Sequence, residues 1–396
     1  MRYVHIGQPN AVTKPIELAP LGLYVHIPWC ERKCPYCDFN SHLAKDIVDE
    51  AAYVKQLLND FDTDLQKFES ALSGRELSSV FIGGGTPSLF KAESIATLLE
   101  GIKQRIAYSP TLEVTLEANP GSSEAEKFLG FRHAGVNRLS IGTQSFNAAH
   151  LKSLGRVHNH KQAVAAAHAA RKAGFDNFNL DIMFGLPHQS MEQALKDVKT
   201  AMSLKPTHLS CYQLTIEPNT LFYAKPPSTP HDDALWEMQS LIQQELKTLQ
   251  YEQYEVSAYA LPQKRCQHNL NYWQFGDYFG IGAGAHGKIT LSNGEIERLW
   301  KRKHPQSYID ADDKIGGRNK VVQEQIVFEF MLNSLRLNEG FNIELFEQRT
   351  GSSIDEIESI LSKHEAANML ERNERTIRPT RFGHERLNLM LEDYLP

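Results

Sequence analysis

The sequence has little cysteine, no excess of basic charge and no long apolar run. Five cysteines among 396 residues are too few, and an odd number, for a secreted disulfide framework, so we expect a reducing compartment. The net charge of −6 gives no electrostatic reason to expect nucleic acid as a partner. No run approaches the ~20 apolar residues that span a bilayer, and residues 1–20 lack the apolar region of a signal peptide. We therefore expect a cytoplasmic protein, with peripheral attachment to a membrane left open.

What the sequence does contain is an alternation of short β-rich runs with longer helical stretches. The predicted strands cover 21–28, 77–82, 111–120, 137–146, 177–187 and 208–218. Helical patterns lie between them, at 46–68, 92–107, 123–134, 161–173 and 190–203. Six such repeats predict an α/β fold with a parallel sheet, arranged as a partial (β/α)6 barrel. A flat doubly wound sheet is the alternative, since periodicity does not distinguish the two.

The chain length predicts one large domain and a smaller one. A Pro-rich stretch at 224–233 and a change in composition near residue 300 suggest the boundaries. We predict four parts: an N-terminal extension (1–20), the (β/α)6 core (21–225), a core extension (226–300) and a helical, winged-helix-like C-terminal domain (301–396). A plain helical cap is the alternative for the last part.

Three of the five cysteines lie within eight positions, in "HIPWCERKCPYCDFN". A structural zinc site needs four protein ligands, and Cys211 and Cys266 do not supply a second pair. A redox pair would explain Cys34 and Cys37 but not Cys30. Three thiolates can instead hold three irons of a [4Fe–4S] cluster and leave the fourth iron open to another ligand. The spacing favours this cluster.

Further polar and glycine residues occur at the carboxyl ends of the predicted strands, where α/β proteins place their functional groups. The sequence "GGGTPS" (83–88) follows the second strand, and its glycines let a ligand approach the backbone closely. Each of the polar residues by itself is more often structural. Together they predict a polar ring around one ligand: Glu117, Gln144, Arg156 and Asp181.

The C-x3-C-x2-C loop after the first strand of a six-unit βα core resembles the radical S-adenosylmethionine superfamily. In that superfamily the open iron binds S-adenosylmethionine. Over residues 20–390 the chain is similar to the oxygen-independent coproporphyrinogen III oxidase group. The segments that carry this likeness are "LYVHIPWCERKCPYC", "GGGTPS", "GVNRLSIGTQSF", "NLDIMFGLP" and "LSCYQLTIEPNT".

The resemblance implies a role for individual residues. The cluster ligands would be Cys30, Cys34 and Cys37. The residues lining the cluster and S-adenosylmethionine would be Tyr24, Tyr36, Gly84, Gly85 and Thr86, with Glu117 on the ribose. The positions at which the oxidase binds a second S-adenosylmethionine correspond to Gln144, Arg156, Asp181 and Thr215.

Two departures separate the chain from the oxidase. The oxidase has a further cysteine two residues after the third, where this chain has Phe39, and it has a longer segment before the first strand. The stretch "HNLNYW" (268–273) matches instead the H-N-x-x-Y-W pattern of HemW-type haem chaperones. By that likeness His268 ligates haem iron, Asn269 orients the ring or a propionate, and Tyr272 and Trp273 pack on the porphyrin. Without the family, such a stretch of histidine and aromatic residues is more often an ordinary cap of the core.

The function implied is that of a haem chaperone carrying a [4Fe–4S] cluster and S-adenosylmethionine. Its cargo would be haem, and its expected partner is a haem-accepting protein such as a respiratory enzyme at the membrane surface. The alternative is oxidative decarboxylation of coproporphyrinogen III. The sequence leaves open whether S-adenosylmethionine is cleaved, and whether the chain forms a homodimer.

Overall fold

A computed structural model describes residues 18–44, 48–121 and 125–396, and its central feature is a mixed sheet of twelve strands. Six strands correspond to the six predicted from the sequence and are parallel to their neighbours. They are β1 (Leu21–Ile27), β2 (Leu77–Gly84), β3 (Tyr108–Ala118), β4 (Arg138–Gln144), β5 (Phe178–Phe184) and β6 (His208–Gln213). The predicted α/β class is confirmed.

Six later strands extend this sheet at both sides. They are β7 (Glu252–Gln253), β8 (Ala258–Ala260), β9 (Asp277–Ile281), β10 (His286–Thr290), β11 (Ile296–Lys301) and β12 (Ile315–Lys320). The order across the sheet is β12-β11-β10-β9-β1-β2-β3-β4-β5-β6-β8-β7. Strand β9 pairs in parallel with β1, and the other five make antiparallel pairs. The sheet is therefore open, with β12 and β7 at its edges.

Helices cover one face of the sheet. In β1, Leu23 and Val25 are fully buried in the main core, so the alternate residues Tyr24 and His26 lie on the opposite, inner face. Helices of the core region span Glu50–Lys67, Glu69–Leu72, Ala92–Lys103, Phe128–Ala134, Ala148–Ser153, His160–Lys172, Met191–Ser203, Leu221–Ala224, Asp232–Thr248, Gln267–Trp273 and Pro305–Asp310. Parts of the helices predicted at 46–68 and 123–134 lie outside the described residues, as does most of the predicted extension 1–20.

The C-terminal region has a core of its own, in which Phe330, Phe341 and Phe346 pack edge to face or tilted. Its helices span Gln323–Ser334, Ile343–Thr350, Glu358–Ala366, Arg381–His384 and Leu387–Leu391. A small sheet of order β13-β15-β14 completes it, with β13 (Phe341–Asn342), β14 (Leu370–Arg372) and β15 (Thr376–Pro379). The predicted domain 301–396 thus begins with a segment, β12, that belongs to the main sheet. Within the described ranges, no helix combines the length and apolarity needed to cross a bilayer.

Candidate cofactor site

The three clustered cysteines lie on a loop that leaves the carboxyl end of β1. Two-residue strands, Trp29–Cys30 and His42–Leu43, pair in parallel and close the base of this loop. The amide of Cys37 donates to the carbonyl of Cys34 (3.2 Å), which forms a turn between them. Cys30 is buried and Cys34 and Cys37 are partly exposed, and all three are free thiols. The loop therefore brings three thiols together at the edge where the parallel strands end.

Polar groups contact these thiols. The Nη1 atom of Arg156 donates to the Sγ of Cys34 (3.7 Å), and the Oγ of Ser41 lies 3.8 Å from the Sγ of Cys37. Burial raises the pKa of Cys30, which the hydroxyl of Thr86 partly offsets by a hydrogen bond. Burial likewise raises the pKa of Cys37. Among the described residues, no three His, Cys, Asp or Glu side chains converge on one metal ion. A cluster does not require such convergence, because each thiolate binds a different iron.

The glycine loop after β2 is pinned against the cysteine loop. The amide of Gly85 donates to the carbonyl of Ile27 (2.8 Å), and that of Thr86 to the carbonyl of Trp29 (2.7 Å). A Cβ on Gly85 would lie 2.5 Å from the Trp29 carbonyl oxygen, closer than real contacts allow. Gly84 has φ +118°, a conformation that favours glycine. The loop thus needs glycine, and its backbone borders the site.

Two carboxyl groups on the inner face of the sheet interact electrostatically. The Oε2 of Glu117 accepts a hydrogen bond from the amide of Gly84 (3.0 Å). Burial, and secondly the charge of Asp181, raises the pKa of Glu117 to about 8. Burial also raises the pKa of Asp181, although Asn179 (2.7 Å) and Ser140 (3.2 Å) donate to it. Both acids are therefore costly to ionise here, and a cationic ligand such as a sulfonium would relieve that cost.

The other predicted site residues differ in their contacts and in how exposed they are. Gln144 ends β4 with φ +65°, and Arg156 donates to the Gly142 carbonyl nearby (2.8 Å). Tyr36 packs on Phe222 (6.4 Å between ring centres) beside the cysteine loop. Thr215 is exposed beyond the end of β6 and is the least enclosed residue of the predicted set. Phe39 is also exposed, to 60% of its surface.

The "HNLNYW" stretch forms most of the helix Gln267–Trp273, which packs against the inner face of the sheet. The imidazole of His268 stacks on Phe81 of β2 (4.2 Å, 15°) and lies 6.4 Å from the ring of Tyr24. Tyr272 meets the same imidazole edge to face (4.4 Å). His268 is only 5% exposed, and burial lowers its pKa to about 3. Its imidazole is therefore neutral, the form that can bind iron.

The last residue of the motif faces the C-terminal region instead. The guanidinium of Arg336 lies over the ring of Trp273 (4.4 Å), and the hydroxyl of Ser334 donates to the Trp273 carbonyl (3.0 Å). Asn269 is partly exposed on the same helix. The motif thus touches both the inner face of the main sheet and the C-terminal region.

The chain is similar to known protein families and proteins. The model of the radical SAM superfamily matches residues 24–201, and that of the HemN C-terminal domain matches residues 321–384. A Haemophilus influenzae protein named heme chaperone HemW is 48% identical over 379 residues, covering 96% of this chain and 99% of the relative. An Escherichia coli protein of the same name is 47% identical over 380 residues, with the same coverage. The chain belongs to the HemW family.

Among solved structures, the fold of this HemW-family chain resembles that of coproporphyrinogen III oxidase (HemN) from Escherichia coli, described as a radical SAM enzyme. The TM-score is 0.79, and the match covers 97% of this chain and 91% of the oxidase. Sequence identity is 21%, so this likeness concerns the fold alone.

Sequence reasoning missed several residues of the site. Asn119, two positions after Glu117, bonds to Thr86 (3.1 Å) and to Arg156. Phe81 provides the surface on which His268 stacks. The strand alternation is a signal that could have found Phe81, because it places Ser79, Phe81 and Gly83 on the inner face. For Asn119 the only local signal is its position directly after a strand.

Proposed function

We propose that this HemW-family chain is a haem chaperone, which binds haem and passes it to an acceptor haem protein, with a respiratory enzyme at the membrane surface as the expected class. The observation that carries the proposal is the full-length similarity to relatives named heme chaperone HemW. The His268 motif supports it, because it presents a neutral imidazole among aromatic side chains.

We further propose that Cys30, Cys34 and Cys37 hold a [4Fe–4S] cluster. The free thiols and their hydrogen-bond donors fit such a cluster. The bound cluster would supply one open iron for S-adenosylmethionine. The glycine loop supports that ligand too, since Gly84 and Gly85 leave backbone accessible where a side chain would collide. Glu117, beside this loop, is the acceptor we assign to the ribose.

Haem binding to His268 requires a local movement, because only 5% of this side chain is exposed. Its ring is covered by Phe81 and Tyr272. The helix Gln267–Trp273 would therefore shift away from β2 when iron reaches the imidazole. Trp273 and Asn269, at the less buried side of this helix, would then contact the porphyrin.

Haem titration of the purified chain tests the ligand assignment. We expect a Soret band in the wild type, and a loss of affinity of about tenfold or more in His268→Ala, because the iron loses its axial nitrogen. His286→Ala is the matched control: this histidine is exposed, lies outside the motif in sequence and stacks on Trp300 (6.3 Å between ring centres). An unchanged band in His268→Ala would place the iron ligand elsewhere. A wild-type protein that binds no haem would refute the proposed haem-chaperone function.

A second experiment separates the chaperone from an enzyme and tests the cluster. Reconstituted protein is incubated anaerobically with S-adenosylmethionine, reductant and coproporphyrinogen III. We expect no protoporphyrinogen at catalytic turnover, and its formation would contradict the chaperone function as the sole one. Analysis for iron and sulfide should show four of each per chain. Cys34→Ala should lower both, and a variant with full content would contradict the ligand assignment.

A further inference from the structure

Asn119, directly after β3, links its own loop to the glycine loop and to the loop that carries Arg156. Its Nδ2 donates to the Oγ1 of Thr86 (3.1 Å), and its Oδ1 accepts from the Nη2 of Arg156. Its backbone amide donates to the Oγ of Ser88 (3.3 Å). One side chain therefore contacts both the glycine loop and the arginine that reaches the cysteine loop.

The guanidinium group of Arg156 has partners on more than one side, and the Tyr36 side chain is hydrogen-bonded to it. Nη2 is held by two acceptors, Asn119 and the carbonyl of Gly142 (2.8 Å). Nη1 then donates to the Sγ of Cys34 (3.7 Å). The Nε atom is buried and has no partner in the described part of the chain. A buried donor left unpaired is costly, so the contacts of the other two nitrogens, including those on Nη2, must offset that cost in this orientation.

Asn119 is thereby one residue away from two of the three clustered thiols. Through Arg156 it reaches Cys34. Through Thr86 it reaches Cys30, whose thiol is hydrogen-bonded to the Thr86 side chain. Both contacts place a polar hydrogen at a sulfur atom, and one of them comes from a permanently charged group.

We propose that Asn119 is a positioning residue for the iron–sulfur cluster, and that it holds Arg156 so that Nη1–H donates to the Cys34 sulfur and raises the reduction potential. The inference rests on the cluster assigned under the proposed function. On reduction, the cluster gains one electron from an external one-electron reductant and becomes more negative. A hydrogen bond and a positive charge at a ligand sulfur stabilise that more negative state.

The test measures the midpoint potential of the reconstituted cluster by spectroelectrochemical titration with dithionite, in the absence of S-adenosylmethionine. Omitting this ligand removes any effect that arises from its binding to Arg156. We expect a lower potential in Asn119→Ala, because Arg156 loses one of the acceptors that orient it. In Arg156→Lys we expect a decrease at least as large, since the charge is kept but the guanidinium donor that reaches Cys34 is lost.

Ser88→Ala is the matched control, because it removes an acceptor of the Asn119 backbone amide and leaves its side-chain contacts intact. We expect the wild-type potential in this variant. Electron–nuclear double resonance of the reduced cluster gives a second readout. An exchangeable proton coupling, present in the wild type in H2O and absent in D2O, should weaken in Asn119→Ala.

Equal potentials and equal proton couplings in the wild type, Asn119→Ala and Arg156→Lys would overturn the proposal, as would an equal decrease in Ser88→Ala. Iron and sulfide content is measured on each sample. If Asn119→Ala assembles no cluster, the same measurements are made on Arg156→Lys and on Asn119→Ser, which retains a polar oxygen. A wild type that assembles no cluster would refute the proposed cofactor rather than the role of Asn119.

Discussion

At the scale of single residues, the inner face of the sheet is an environment that disfavours charge. Glu117 has an amide donor from Gly84 but no cationic partner among the residues that the structure describes, and Asp181 adds a like charge. Burial and this like charge explain why its pKa rises from about 4.5 to about 8. Ionisation of this carboxyl group therefore costs folding stability.

Replacement of this carboxyl tests that view. Because the pKa of Glu117 is raised, the folded state holds the proton more tightly than the unfolded state, and its contribution to stability falls as the pH rises from about 4.5 to about 8. Glu117→Gln keeps an acceptor and has no proton to lose. We expect the difference in free energy of unfolding between Glu117→Gln and the wild type to rise by about 1–2 kcal/mol from pH 5 to pH 8.5. This range allows for partial solvent access. Urea unfolding at both pH values measures this, and parallel profiles would contradict it.

At the scale of elements, the glycine loop after β2 is held by backbone hydrogen bonds to the end of β1 and to the start of the cysteine loop. The two strands are neighbours in the sheet, so the two loops emerge side by side. The close approach at Gly85 is to backbone, which cannot move aside as a flexible side chain would.

We expect Gly85→Ala to displace this loop, destabilise the chain by about 1–3 kcal/mol, and weaken S-adenosylmethionine binding tenfold or more. The matched control is Gly174→Ala. Gly174 has φ +83°, but a Cβ added there would meet no described atom within 4 Å, so we expect a strain cost of about 1 kcal/mol and unchanged binding. Equilibrium binding to the reconstituted protein and urea unfolding measure both quantities. Equal effects of the two substitutions on binding would show that the collision at Gly85 is not what weakens S-adenosylmethionine binding.

At the scale of the whole molecule, the helix Gln267–Trp273 lies between the main sheet and the C-terminal region. His268 packs on the sheet, while Trp273 packs under Arg336. Arg336 also lies 3.5 Å from Glu255, and its carbonyl accepts from the Nε2 of His384 (2.9 Å). The two cores thus meet at the helix to which haem binding is assigned.

We expect Arg336→Ala to lower the free energy of unfolding by about 1–2 kcal/mol, since it removes the cation–π contact and leaves Glu255 buried without this partner. Haem affinity should change in the same variant. Arg372→Ala is the control, because Arg372 pairs with Glu358 and Glu365 within the C-terminal region. Urea unfolding and haem titration check both expectations. If Arg372→Ala alters haem affinity as much as Arg336→Ala does, the contact with Trp273 has no special role.

Much of the core was predictable from the sequence, because its signals are local. A buried parallel strand is a short apolar run bounded by turn residues, and all six such runs form strands in the structure. The cysteine spacing and the glycine loop are likewise contiguous patterns. The fold class alone predicts that residues at the carboxyl ends of neighbouring parallel strands lie close together. Glu117 and Gly84 do so, since the Gly84 amide donates to the Glu117 carboxyl group.

Other features were decided only by tertiary packing, because they depend on residues far apart in the chain. The sheet extends beyond six strands since β9 adds to the free edge of β1, a pairing across about 250 residues that no local pattern encodes. His268 is buried because Phe81, from a strand far away in the sequence, stacks on it. Asn119 reaches two thiols through Arg156 and Thr86, each on a different loop. By itself the sequence determined which elements form and which chemical groups stand at their ends, whereas the three-dimensional packing decided which of those groups touch.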